Sequence, residues 1–234
     1  MHAALITGAS RGLGYELCRQ LTNRGWKVGA LSRTQSEGLV RLERASEGRF
    51  RWFECDVADP SAEMAAHGAL QFLGSLNLLI NNAGIPGWSQ KLAATEVGEV
   101  ETLFDIHALG CLRITRAAIS ALLATKDAHI VNISSRLGSI SRTASGEFAG
   151  KGFSYSYRIA KAALNMLSAC IAEEFAPHGI RVTVLHPGRF QSGAAASGAT
   201  MTAKEAAQRI CRWLPTRDRS PIVYLEPEAG NLPW

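Results

Sequence analysis

A chain of 234 residues, 47% hydrophobic and 19% charged, has the apolar content to bury a core, so a disordered chain is excluded and one α/β domain spanning 1–234 is expected. The 25 Lys and Arg outnumber the 20 Asp and Glu to give +5, but they are dispersed from Arg11 to Arg219, which fits a charged surface with a few anion-binding arginines and argues against a nucleic-acid partner. No run of about 18 uninterrupted apolar residues is present, so neither a membrane-spanning helix nor a membrane partner is expected.

In chain order, short apolar runs alternate with longer stretches of helical period. A strand over 3–7 leads into a helix over 12–24, a strand over 27–32 into a helix over 35–45, and a strand over 51–55 into a helix over 61–73. A strand over 76–81 precedes a long helix over 97–123. Strands over 129–134 and 181–186 precede helices over 157–175 and 203–214, the last announced by the capping box Thr202-x-x-Glu205. A seventh strand is expected over 221–225. The alternation predicts a doubly wound, Rossmann-like parallel sheet of about seven strands with helices on both faces. The stretch 137–154, with several Gly, Ser and Thr and little periodicity, and the stretch 192–200, of small residues only, read as mobile loops at the strand ends where such sheets bind ligands. Residues 1–6 lack the features of a secretory signal. The five cysteines (Cys18, Cys55, Cys111, Cys170, Cys211) include no C-x-x-C pair, so a reducing cytoplasm without metal or disulfides is the expected setting.

The motifs that carry chemistry sit at strand ends. In Thr7-Gly8-Ala9-Ser10-Arg11-Gly12-Leu13-Gly14 the glycines let the backbone approach a pyrophosphate, and the following helix offers free N–H groups and a positive dipole end. Tyr157 and Lys161, four residues apart, share one helix face. A tyrosine of pKa about 10 is a poor acid–base catalyst near neutrality, and a neighbouring ammonium is expected to draw that value down. On the pair alone, a surface lysine beside a half-buried tyrosine is the better account; the upstream serine and glycine loop reverse it. Tyr155 has Ile159 at the corresponding position and lacks such a partner.

Together with Asn81-Asn82-Ala83-Gly84, Asn132-Ile133-Ser134-Ser135 and His186-Pro187-Gly188, these motifs give the chain an order that resembles the short-chain dehydrogenase/reductase family over 7–192. Leu137-Gly138-Ser139-Ile140 and Gly230-Asn231-Leu232-Pro233-Trp234 are similar to its sniffer and C-factor branch of carbonyl reductases. The resemblance implies that Ser135 hydrogen-bonds a substrate carbonyl oxygen, that Tyr157 protonates it, and that Lys161 serves Tyr157 and the nicotinamide ribose. It places Gly8, Ser10, Arg11, Gly12, Leu13 and Gly14 on the pyrophosphate, Asp56 and Val57 beside the adenine, and Asn82, Ala83 and Gly84 on the ribose side. Pro187, Gly188 and Ser192 fall beside the nicotinamide. The 22 residues from Ser135 to Tyr157 exceed the family's usual interval and imply an inserted loop above the site. His107 stands where the family places an Asn that holds a water linking the lysine to solvent. An imidazole of ordinary pKa about 6.5 can hold that water and exchange the proton itself, or it can simply pack; the relay is the preferred reading.

NAD-binding members carry a carboxylate at the end of the second strand. Here Ser32 and Arg33 stand there, with Arg11 in the glycine loop, so two guanidiniums can clamp a 2′-phosphate and NADP(H) is the expected cofactor. The expected function is therefore hydride transfer between NADPH and a ketone or aldehyde, or the reverse from an alcohol, in a homodimer or homotetramer as family members often form. An epimerase or dehydratase on the same fold would retain its cofactor without steady NADPH oxidation. A nucleotide-sensing protein without turnover would usually have lost the Tyr or the Lys, and both are present. Arg189, after the Pro-Gly pair, has no assigned role.

Overall fold

The computed structural model describes residues 1–191, 199–214 and 220–234. Five-residue runs such as Ala3–Thr7 (β1) are buried throughout, as strands covered on both faces must be. The first half of the chain continues with α1 (Gly12–Asn23), β2 (Lys27–Ser32), α2 (Glu37–Ala45), β3 (Phe50–Glu54), α3 (Ala62–Leu73) and β4 (Leu78–Asn81). It is followed by α4 (Val97–Phe104), a π-helical segment (Asp105–Leu109), α5 (Gly110–Leu123), β5 (His129–Ile133), α6 (Ile140–Ala144) and α7 (Tyr155–Phe175). The chain then forms β6 (Arg181–Leu185), α8 (Ala203–Trp213), β7 (Ile222–Glu226) and β8 (Gly230–Asn231). The sheet order is β3-β2-β1-β4-β5-β6-β7-β8, parallel except for the antiparallel β7/β8 pair.

Alternation along β1 divides the core. Ala4 and Ile6 pack with Leu13, Leu17 and Leu21 of α1 and with Ala206 and Ile210 of α8. Ala3 and Leu5 pack on the other side with Ala66 and Ala69 of α3, Ile114 and Ala118 of α5, and Ile171 of α7. The registers Thr7↔Leu31, Asn81↔Asn132 and Ile133↔Leu185 carry the ends of the central strands to one edge, where the motif residues gather.

Several boundaries depart from expectation for local reasons. β4 begins at Leu78, two residues later than predicted, although Asn77 before it is already tied to β1, its N–H donating to Ala3 O at 3.0 Å and its Oδ1 accepting Ala3 N–H at 2.9 Å. The predicted helix over 97–123 is interrupted at 105–109 by the π-helical turn that holds His107. By length and composition Val97–Leu123 could cross a membrane, but half of its most apolar window is buried, α4 against α7 and α5 against α3. Helix α7 starts two residues before Tyr157 because the Ser154 hydroxyl caps Tyr157 N–H. The stretch 137–154 is not wholly loop. Ser135 caps a one-turn helix at Arg136–Gly138, and Ser139 caps α6. The capping box at Thr202 forms as predicted. Of the stretch 192–200, residues 192–198 and with them Ser192 lie outside the described residues. β8, only two residues long, carries no alternation by which a sequence could announce it.

Candidate active site

The turn from β1 to α1 is a backbone cradle. Gly8 and Gly12 take φ of 66° and 57°, which a side chain would strain. A Cβ at Gly14 would stand 2.2 Å from the Gly8 carbonyl oxygen, and one at Gly8 would stand 2.8 Å from Ala83 Cα. A Cβ at Gly12 would meet nothing within 4 Å beyond its own chain neighbours, so this side of the turn is open. Arg11 N-caps α1 without a side-chain hydrogen bond, and the first turn carries no acid, so its N–H groups are presented to an anion. Asn82 fixes the loop, its Nδ2 donating to the carbonyls of Thr7 at 2.9 Å and Gly8 at 3.2 Å. In return Thr7 Oγ1 accepts the N–H groups of Asn82 and Ala83. The amide of Asn82, expected on the ribose side, is thus engaged in holding the cradle.

Beside the cradle, Arg33 is exposed and approaches Asp56 at 4.0 Å. Ser32, which stands where NAD-binding members carry a carboxylate and was expected beside the cofactor, is buried; its hydroxyl donates to Thr34 O at 3.0 Å and accepts Trp52 Nε1–H at 2.9 Å. Trp52 reaches it from β3, an anchor that the sequence reading did not identify. Asp56 Oδ1 accepts Ala58 N–H, and Val57 is buried beneath Gly110 and held through its carbonyl by Arg113. After β6, Pro187 and Gly188 are buried, and a Cβ at Gly188 would meet Met201 Cε at 2.9 Å.

Ser135, Tyr157 and Lys161 come together where β5 meets α7. Ser135 Oγ accepts Leu137 N–H at 3.2 Å, which leaves the hydroxyl hydrogen for donation. Lys161, only 4% exposed, donates from Nζ to the Ile133 carbonyl at 2.7 Å and lies 5.6 Å from the Tyr157 ring centroid. Burial lowers its pKa to about 7, with Cys111 pulling weakly the other way. The expected lowering of the tyrosine pKa is not found: burial raises Tyr157 to about 12 despite an opposing interaction with Ser135. The reason is desolvation. The ammonium is directed to a carbonyl, and it is the lysine that yields its proton more readily.

His107 is buried edge-on to Tyr157, ring centroids 5.5 Å apart, and packs so closely over Gly84 that a Cβ there would meet its Cε1 at 2.4 Å. Its Nε2 lies 2.9 Å from the Ile85 carbonyl and 3.3 Å from the Ile85 N–H, so each neutral tautomer finds a partner on the same residue. The buried Nδ1 finds none among the described residues. Burial, seconded by the Lys161 charge and against the Ile85 hydrogen bond, lowers its pKa to about 3. A histidine titrating in the working range, as its ordinary pKa suggested, is therefore not present here. With Thr7, Asn81 and Cys111, His107 lines a small cavity beside the site.

Two further residues went unremarked in the sequence. Glu99 is buried in the first turn of α4, where Oε1 accepts the N–H groups of Trp88 and Ser89 at 2.8 and 3.1 Å and the Ser156 hydroxyl at 2.5 Å. Burial opposes its ionisation, but these hydrogen bonds prevail and hold it at about 2, so it remains a carboxylate that ties the loop after β4 to the start of α7. Asn165 accepts from the Ser134 hydroxyl at 2.6 Å and donates to Gly138 O at 3.2 Å, bracing both flanks of Ser135. Its signal was available: it continues the face of Tyr157 and Lys161 by four more residues. Among the described residues no cluster of three His, Cys, Asp or Glu could hold a metal ion.

The family model for short chain dehydrogenases matches residues 2–203. The chain belongs to the short chain dehydrogenase family. It is 32% identical over 162 residues to the C-signal protein of Myxococcus xanthus, covering 69% of this chain and 94% of that one. The NADPH-bound carbonyl reductase from chicken fatty liver superposes with a TM-score of 0.87 at 26% identity, covering 100% of this chain and 99% of that one. The carbonyl reductase Sniffer of D. melanogaster, at 23% identity and TM-score 0.88 over 100% of both chains, shares the fold. The family match and the likeness to C-signal and to the carbonyl reductases bear out the family and branch resemblance, and the structure bears out the doubly wound sheet, with eight strands in place of about seven.

Proposed function

We propose that the protein is an NADP(H)-dependent reductase that interconverts a ketone or aldehyde with its alcohol. The observation that carries this reading is the meeting of Ser135, Tyr157 and Lys161 at the same sheet edge as the open glycine cradle. The cradle fits a dinucleotide: its N–H groups and positive helix end suit a pyrophosphate, which Gly8, Ser10, Gly12, Leu13 and Gly14 would surround, and the exposed Arg11 and Arg33 would hold the 2′-phosphate. When bound, NADPH supplies the hydride. Ser135 donates its free hydroxyl hydrogen to the substrate oxygen, and Tyr157, neutral because buried, gives that oxygen its proton. Lys161 provides the positive charge that offsets the phenolate left behind. His107, kept neutral and anchored through Nε2 to Ile85, would hold at Nδ1, which has no partner among the described residues, a water through which solvent returns the proton to Tyr157. The resemblance further implies a homodimer or homotetramer, for which Val97, Phe104, Leu112 and Met166 on α4, α5 and α7 offer exposed apolar side chains.

The test is NADPH absorbance with a panel of ketones and aldehydes, repeated with NADH. Steady oxidation in step with carbonyl loss is expected, and its absence across the panel would overturn the reading. Arg33→Asp is expected to weaken NADPH binding at least tenfold, since a charge-assisted bond of about 1.5–3 kcal/mol is lost and a repulsion gained. Wild-type affinity equal for NADPH and NADH would remove the arginine clamp.

At His107 the expected results concern rate and pH together. His107→Leu slows reduction, His107→Asn keeps most of the rate, and the wild-type kcat profile from pH 5 to 9 carries no limb that the Asn variant lacks, because a group of pKa about 3 stays neutral there. Full activity in His107→Leu would reduce the residue to packing.

A further inference from the structure

We propose that Tyr224 and Trp234 are positioning residues that hold Ser135 in its reactive orientation, a role that rests on the reductase reading above. The Tyr224 hydroxyl, from β7, donates to the Ser135 carbonyl at 2.5 Å, and the tyrosine is 2% exposed. β7 is not the sheet neighbour of β5; the contact reaches across β6 to the residue just past the end of β5. The Tyr224 ring is itself held by the Trp234 ring, with centroids 5.3 Å apart, while Tyr224 O accepts Leu232 N–H at 2.7 Å. Trp234 O in turn accepts both the N–H and the hydroxyl of Ser141 in the first turn of α6. The segment from Ser135 to Ser141 is therefore gripped at both ends by one strand-and-turn unit, β7 with residues 230–234, and braced between by Asn165 on Gly138.

This grip bears on chemistry because Ser135 lies outside the regular ladder. It is extended at φ −154° and ψ 145°, and its Oγ begins a one-turn helix too short to fix its own geometry. A donor displaced by about 1 Å can cost on the order of 10²-fold in rate. A buried tyrosine also needs some partner for its hydroxyl, so a purely structural bond predicts lower stability with no specific effect on Ser135.

The two accounts separate in a double-mutant cycle. Tyr224→Phe keeps the tilted ring contact with Trp234 and removes only the hydroxyl. It is expected to lower kcat at least about tenfold with KM for NADPH unchanged, yet to have less than about a twofold effect in the Ser135→Ala background. Trp234→Ala is expected to repeat the pattern, and Trp234→Phe to restore most of the rate. An unchanged kcat in Tyr224→Phe, or the same loss with and without Ser135, overturns the proposal. Hydrogen exchange judges it without turnover: Tyr224→Phe should accelerate exchange within 134–141 while α7 and β1 keep wild-type protection, and wild-type exchange within 134–141 would refute it. A wild type inactive on every carbonyl would sink the reductase reading, leaving the positioning of this segment to be decided by exchange alone.

Discussion

Tyr157→Phe is expected to lower turnover by about 10³-fold while the affinity for NADPH stays within about twofold of wild type, as when a general acid alone is removed. The Tyr157 ring meets the His107 ring edge-on and α7 is capped by Ser154, so a phenylalanine keeps the helix, the ring contact and the neighbouring cradle. What it lacks is the phenol that gives the substrate oxygen its proton. Because burial holds that phenol at about 12, it is protonated throughout the ordinary pH range and ready to act in the direction of reduction. Single-turnover absorbance measures the loss and fluorescence titration the binding. A variant with normal turnover would remove the proposed chemistry, whereas one that loses turnover and NADPH binding together would assign Tyr157 to the cofactor pocket.

The strands were legible because a parallel sheet buried on both faces demands apolar runs; β1 and β2 match residue for residue, and the other predicted strands shift by one or two positions. The π-helical turn was not. One extra residue within 97–123 hardly alters an apolar pattern, though it sets where His107 points. Ser32 was legible as the residue in place of an acid but not as the partner of Trp52, since that contact depends on the pairing of β2 with β3. Glu99 reads in sequence as an acid suited to a helix N-terminus, and only the packing of Ser156 and the turn at Trp88 reveals a buried anchor. Spacing identified Tyr157 and Lys161 as neighbours, but it carries no information on depth, and depth decides their charges.

That depth gives Lys161 a signature of its own. Lys161→Met should cut turnover by about 10²-fold or more, since no cation then offsets the phenolate left when Tyr157 gives up its proton. It should also remove a pH dependence of folding. Burial lowers the lysine from 10.5 in the free residue to about 7 in the native protein. Between those values the unfolded chain binds more protons than the native one, so this group's contribution makes stability rise with pH. Below pH 7 both states are protonated, and the native state bears the full cost of a buried ammonium. The sign is opposite to that of a lysine in a salt bridge, whose support fades as pH rises. Unfolding in urea at several pH values should therefore show the wild type gaining stability relative to Lys161→Met from about pH 7 to pH 10, while His107 stays neutral in both proteins. A difference that stays flat over that range would mean that Nζ is well solvated in the native state, and the burial that sets the charges of Tyr157 and Lys161 would then be wrong.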